Sequence, residues 1–205
     1  MKRLLLISSF VLLFASGTAS ARRLQVGFRG GINTTDYRFS PVAIGETQFV
    51  TGSSRAGFET GFVLRLNLSK FVHLQSELNY DFVNYSIRAT RANLQTDVRL
   101  RSERLEVPVQ LGFQLGIVRL FGGASFRLNN SLHSSHPDLL KIRFDTENMA
   151  WMGGIGLNFK HFFLDFRLQG YPGSKHNNIF ESNGIRQKVH IRSNIVYGGS
   201  LGFFF

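Results

Sequence analysis

Cysteine is absent from the 205 residues. Nothing in the chain can therefore depend on a disulfide, and a lipoprotein anchored through an N-terminal Cys is excluded. Proline is scarce at 4 residues, and charged residues make up only 18%, low for a soluble domain. Acidic residues are the scarcer sign, 13 against 24 basic, so the net charge is +11. So basic a chain suits nucleic acid, but no basic run carries interleaved aromatics, and the N-terminus argues for export. Long apolar runs are missing too. Past the first residues no segment approaches about 18 consecutive apolar residues, which excludes a transmembrane helix there.

What is present begins with an export signal. Met1-Lys2-Arg3 is basic, Leu4 to Phe14 is apolar apart from Ser8 and Ser9, and Ala19-Ser20-Ala21 is a small-x-small cleavage site. These three parts in this order predict a secretory signal peptide over 1–21 and a mature domain over 22–205. Without Lys2 and Arg3 the net charge becomes 22 minus 13, or +9.

The mature chain is rich in Gly and Phe, 21 of each, and they recur with a period of two. At the end of the chain Ile195, Tyr197, Gly199, Leu201, Phe203 and Phe205 alternate with Asn194, Val196, Gly198, Ser200, Gly202 and Phe204. Successive side chains of a strand point to opposite faces, so the period predicts a strand. Seven earlier segments repeat it: 23–32, 58–68, 73–82, 104–115, 118–128, 149–160 and 161–169. Each is roughly the ten residues that a tilted strand needs to cross a bilayer. Pro108, which removes one ladder donor, is expected near a strand end or a bulge.

Alternation alone fits a soluble sandwich as well as a membrane barrel, since the apolar face can meet a core or lipid. Three features favour the barrel. The connections alternate: Ser69-Lys70-Phe71, Gly116 and Lys160-His161 are tight, while 34–55, 86–103, 129–148 and 171–193 read as loops of about twenty residues each. The polar faces mix Arg, Glu and Gly, as a narrow lumen requires. Aromatics such as Phe58, Tyr80, Phe82, Phe113, Trp151 and Phe162 recur toward segment ends, where interfacial girdles lie. The expected fold is an all-β, eight-stranded antiparallel up-and-down transmembrane β-barrel in the bacterial outer membrane, with both termini in the periplasm.

Eight strands enclose an interior that side chains can fill. The lumen is expected to hold Arg29, Arg65, Arg104, Arg119, Arg127, Lys160 and Arg167 with Glu59, Glu77, Asp81, Glu106 and Asp165. Unpaired buried charges are costly, so these should pair into a network that plugs the barrel. His73 and His161 are placed on the same face as hydrogen-bonded partners.

Two elements carry a family resemblance. Val26-Gly27-Phe28-Arg29-Gly30-Gly31-Ile32-Asn33 resembles the Gly-rich first strand, and Leu105-Glu106-Val107-Pro108-Val109 the L-E-[IV]-P strand start, of the PorT-like outer-membrane β-barrel family of Bacteroidota. The resemblance implies a porin-family barrel without a general enzymatic activity; some members serve secretion or gliding machinery. The closing strand ending on Phe205 also resembles the assembly signal of such barrels.

Catalytic, cofactor and metal sites are not expected. His190-Ile191-Arg192-Ser193-Asn194 resembles the H-x-S-N motif of lipid A deacylases with one residue too many, so His190 and Ser193 share a face only across a bulge. His133-Ser134-Ser135-His136 has ligand-like residue types without further ligands at metal spacing. The segments 86–103 and 171–193 are basic, at +2 and +3, and Arg186 and Lys188 are expected to meet the phosphates of lipopolysaccharide. The function expected is a non-enzymatic barrel, structural or acting through its outer loops on lipids, lipopolysaccharide or an envelope protein. A lipid-modifying enzyme and a narrow channel are the alternatives.

Overall fold

The computed structural model describes residues 24–53, 55–92, 94–136, 140–143, 149–170, 177–182 and 184–205; the predicted signal peptide lies outside them. The described secondary structure is all β: β1 (Leu24–Phe39), β2 (Val42–Ile44), β3 (Thr47–Thr51), β4 (Ala56–Asn67), β5 (Val72–Arg91), β6 (Leu94–Leu115), β7 (Val118–Ser134), β8 (Lys141–Arg143), β9 (Met149–Phe159), β10 (Phe162–Gly170), β11 (Asn177–Ser182) and β12 (Ile185–Phe204). Eight of them close a ring in the order β1-β4-β5-β6-β7-β9-β10-β12, with β12 pairing back onto β1. Every pairing is antiparallel, and Phe28 closes the ring between Phe62 and Phe203. The remaining four strands pack at one end.

At the other end the turns are tight and left-handed, a conformation that glycine adopts freely and lysine rarely. Gly116 sits at φ 59 between β6 and β7, and Lys160 at φ 47 between β9 and β10. Lys160 and His161 are exposed in that turn. Both were expected in the lumen; they fall one residue beyond the ladder, where the chain reverses outside the barrel mouth. Pro108 lies in the middle of β6, not at its end. The β5–β6 ladder skips from Ser76–Val109 to Asn79–Glu106 opposite it, and the ladder to β7 shifts register between Leu105 and Glu106.

The larger correction concerns the four expected loops. Much of 34–55, 86–103, 129–148 and 171–193 is strand. β5 and β6 run as one hairpin from Val72–Phe113 to Arg91–Leu94, well past the span that the apolar face covers. β2 pairs β3, β3 pairs β5, and β11 bridges β12 and β8. The wall thus continues above the membrane as an extension.

Within one strand the two zones differ in which face is apolar. On β5 the inward positions are His73, Gln75, Glu77, Asn79 and Asp81, then Val83, Tyr85, Ile87 and Ala89; all are buried. On β6 they are Gln110, Glu106 and Arg104 low down and Leu100 and Val98 higher up. The outward face reverses in step, from Leu105, Val107, Val109, Leu111 and Phe113 to Glu103, Arg101, Arg99 and Asp97. The upper inward residues join Tyr37, Phe39, Phe49, Leu140, Ile142, Phe180 and Val189 in a hydrophobic core. From Leu105 to Leu115 the apolar outer face spans ten residues. At about 3.4 Å per residue and a tilt of about 40° that is roughly 26 Å, the height of an outer-membrane apolar band.

Candidate functional site

The lumen is where the chain concentrates its unusual chemistry. Eight strands leave room only if large side chains face small ones. The register supplies this: Arg29 lies between Gly61 and Gly202, Arg167 between Gly154 and Gly198, and Phe121 between Gly112 and Gly154. A Cβ added at Gly112 would sit 2.0 Å from the His73 ring, and one at Gly202 2.0 Å from the Phe163 ring.

The floor, nearest the turns, is aromatic. Phe163, Phe204 and Val63 cluster there, and the Arg65 guanidinium lies 4.5 Å from the Phe204 ring centre. Above it Arg119 pairs with Asp165, both fully buried. Arg119 Nη1 donates to Gln75 Oε1 at 2.8 Å, which also accepts from Arg65 Nε at 2.7 Å. His73 faces Arg119 at 3.3 Å.

Glu77 is the hub of the middle layer. It accepts from Arg29 at 2.7 Å and Arg167 at 2.8 Å, and from the amides of Gln75, Asn79 and Gln110. Arg29 also pairs with Glu59 and donates to Ser200 Oγ at 2.6 Å. In the upper layer Glu106 accepts from Ser125 and Gln169 and pairs with Arg127 at 3.4 Å and Arg104 at 3.6 Å. Asp81 lies beside Glu59 and Arg104 in the register. Arg29, Arg65, Arg104, Arg119, Arg127 and Arg167 therefore face Glu59, Glu77, Asp81, Glu106 and Asp165: six cations and five anions once Lys160 is removed from the set. Tyr37, Tyr85, Phe39 and Phe180 of the extension core close the top.

Such an arrangement holds charge rigidly. Glu77, Glu106 and Asp165 are held by donors, whereas among the described residues Asp81 Oδ1 is buried without a hydrogen-bond partner; the Arg side chains are stacked or paired rather than lined along a water path. Sequence reading placed these charges and Lys160 on the lumen face, and all but Lys160 lie there. It missed the aromatic floor and the apolar cap, because Phe163 and Phe204 sit on faces otherwise polar and the cap lies in segments read as loops.

The other candidates are on the outside. His190 is exposed, and among the described residues its side chain makes no hydrogen bond. The β1–β12 ladder shifts register between Arg38–Ser193 and Phe39–Ile191, which leaves a bulge at Arg192. The side chains of residues 191–193 lie outside the described residues. His133 is exposed on β7 opposite Arg101, and Ser135 Oγ lies 2.9 Å from His136 Nδ1. Arg186 is exposed and pairs with Glu181 at 2.7 Å; Lys188 is exposed.

An outer-membrane protein of known structure shares this fold. The outer membrane protein OprG from Pseudomonas aeruginosa superposes with a TM-score of 0.53 at 10% identity, covering 88% of this chain and 95% of OprG. AlkL, solved in lipid bilayers, gives 0.48 at 10% identity over 92% and 94%. Ail of Yersinia pestis, solved with a heparin analogue, gives 0.47 at 11% over 89% and 99%. None of the curated proteins matches the chain in sequence. The family model described as "Outer membrane protein beta-barrel domain" matches residues 14–169. A closed ring of eight strands, a lipid-facing apolar band and this match together place the chain in the outer membrane protein beta-barrel domain family.

Proposed function

We propose that this outer-membrane barrel is non-enzymatic and non-conducting, and that it serves as a rigid mount for its exterior extension. The observation that supports this most is the filled lumen, closed by Phe163 and Phe204 below and by the Tyr37–Phe180 core above. Through the extension it meets lipopolysaccharide and an envelope protein partner. The Gly-rich first strand and the Leu105–Val109 element support a PorT-like barrel of Bacteroidota, exported by a signal peptide cleaved after Ala21. Conductance in a planar bilayer tests the plug. Purified protein gives no unitary current steps; steady open steps would refute it.

A lipid-modifying hydrolase is the second reading, and the bulge at Arg192 favours it, since a bulge is what His190 and Ser193 need to share a face. Lipid A from membranes with and without the protein has the same mass under our reading. Loss of an acyl chain that depends on His190 would replace that reading with the hydrolase.

A further inference from the structure

The outer surface carries one basic cleft that the paired charges around it leave unbalanced. Its volume is about 550 Å³, and it is lined by Arg55, Asn84, Arg99, Arg101 and His133 with neighbouring residues of β4 to β7. Register explains the cluster. Asn84, Arg101 and His133 fall in one row across β5, β6 and β7, and Ser86 and Arg99 fall in the next. Arg55 enters from the chain leading into β4, where Asn84 Nδ2 donates to the Ala56 carbonyl at 2.6 Å.

Elsewhere on the extension, among the described residues, four exterior arginines have carboxylates: Arg38 with Asp36, Arg88 with Asp97, Arg91 with Glu46 and Arg186 with Glu181. In the cleft only Arg101 has one, Glu103 at 3.4 Å, which also accepts from the Tyr80 hydroxyl at 2.9 Å. Among the described residues Arg55 and Arg99 form no ion pair, and Arg55 Nε is buried without a hydrogen-bond partner. Guanidinium groups so placed suit a bidentate oxyanion.

Height above the membrane selects the anion. Arg101 is four residues above Leu105, the last apolar outward residue of β6, or roughly 10 Å along the barrel axis. Its guanidinium lies 4.1 Å from the Phe82 ring centre, and Phe82 stacks on Phe58 at 4.2 Å and meets Tyr80 edge-on at 4.9 Å. The cleft therefore opens just above an aromatic girdle, at the level of lipid headgroups.

We propose that the Arg55–Arg99–Arg101 cleft binds the phosphate of a phosphorylated glycolipid in the outer leaflet, with the acyl chains lying along the girdle of Phe58, Tyr80 and Phe82. The inference rests on the lipopolysaccharide reading above and moves its site from the Arg186–Lys188 rim to the barrel wall.

The test uses the full barrel in phosphatidylcholine vesicles with added lipid A, either phosphorylated or enzymatically dephosphorylated. Bound lipid A per barrel is read after extraction, and the heat-dependent gel shift checks folding. Wild type binds the phosphorylated form and not the other. Arg55→Gln with Arg99→Gln lowers binding about tenfold, Arg99→Lys with Arg101→Lys falls between, and Arg186→Gln with Lys188→Gln binds as wild type. Equal binding by the Arg55/Arg99 variant overturns the cleft and leaves the broader reading standing. No binding of lipid A by wild type overturns both, and equal binding of the dephosphorylated form overturns phosphate recognition.

Discussion

The membrane zone and the extension share the long ring strands, which keep one parity through both, yet they are opposites. On β5 the inward face runs from Glu77 and Asp81 to Val83 and Ile87 without a kink. Below the switch the exterior is hydrocarbon, so apolar residues face out and charges must find partners inside. Above it the exterior is water, so the apolar residues turn in and pack. A barrel strand thus reports its surroundings by which face is apolar. The point of exchange, Phe82-Val83 on β5 and Leu100 to Leu105 on β6, marks the membrane surface.

The strongest way to break the contrast is to strip one charge from the lower zone. Asp165→Ala leaves Arg119 buried among Gln75, His73 and Phe121. It should cost about 3–5 kcal/mol in urea unfolding from vesicles, and a loss under about 1 kcal/mol would mean the pair is solvated. In the extension a truncation of comparable cost acts locally. Phe180→Ala opens the upper core at about 3–5 kcal/mol, read as protease cleavage in the extension while the heat-dependent gel shift persists. If that shift is lost as well, the zones are one cooperative unit.

Val109→Arg probes the outer face of β6. It puts a charge into hydrocarbon and should cost about 2–4 kcal/mol. Arg99→Val, ten residues up the same face, should change stability by less than about 0.5 kcal/mol. A reversed order would mean the membrane surface lies elsewhere. Similarly small is Arg88→Gln, which removes an exposed pair with Asp97 at 3.3 Å. It should shift stability by no more than about 1 kcal/mol, and less in high salt.

The eight transmembrane segments were legible because each keeps one phase for its full crossing of the apolar band. Charges at Arg29, Glu77 and Asp165 were legible as inward for the same reason. What sequence reading lost was the continuation. At Phe82-Val83 the apolar positions move from even to odd numbers, and Ile32 to Tyr37 does the same on β1. A change of phase reads as the end of a strand, although the backbone alternation never stops. Lys160 and His161 were misplaced because the period was extended one residue into a turn. The pairing within the lumen was beyond reach, since Arg29 meets Ser200 across 171 residues of chain.

That last contact has a consequence for how the molecule is made. Arg29 belongs to the first strand, its carboxylates Glu59 and Glu77 to the second and third strands of the ring, and Ser200 to the last. Arg119 likewise waits for Asp165, two ring strands later. A chain that entered the bilayer strand by strand would carry bare guanidinium groups into hydrocarbon at each step. The final sheet must therefore be delivered nearly whole, its edges held apart by something other than lipid until the first and last strands meet.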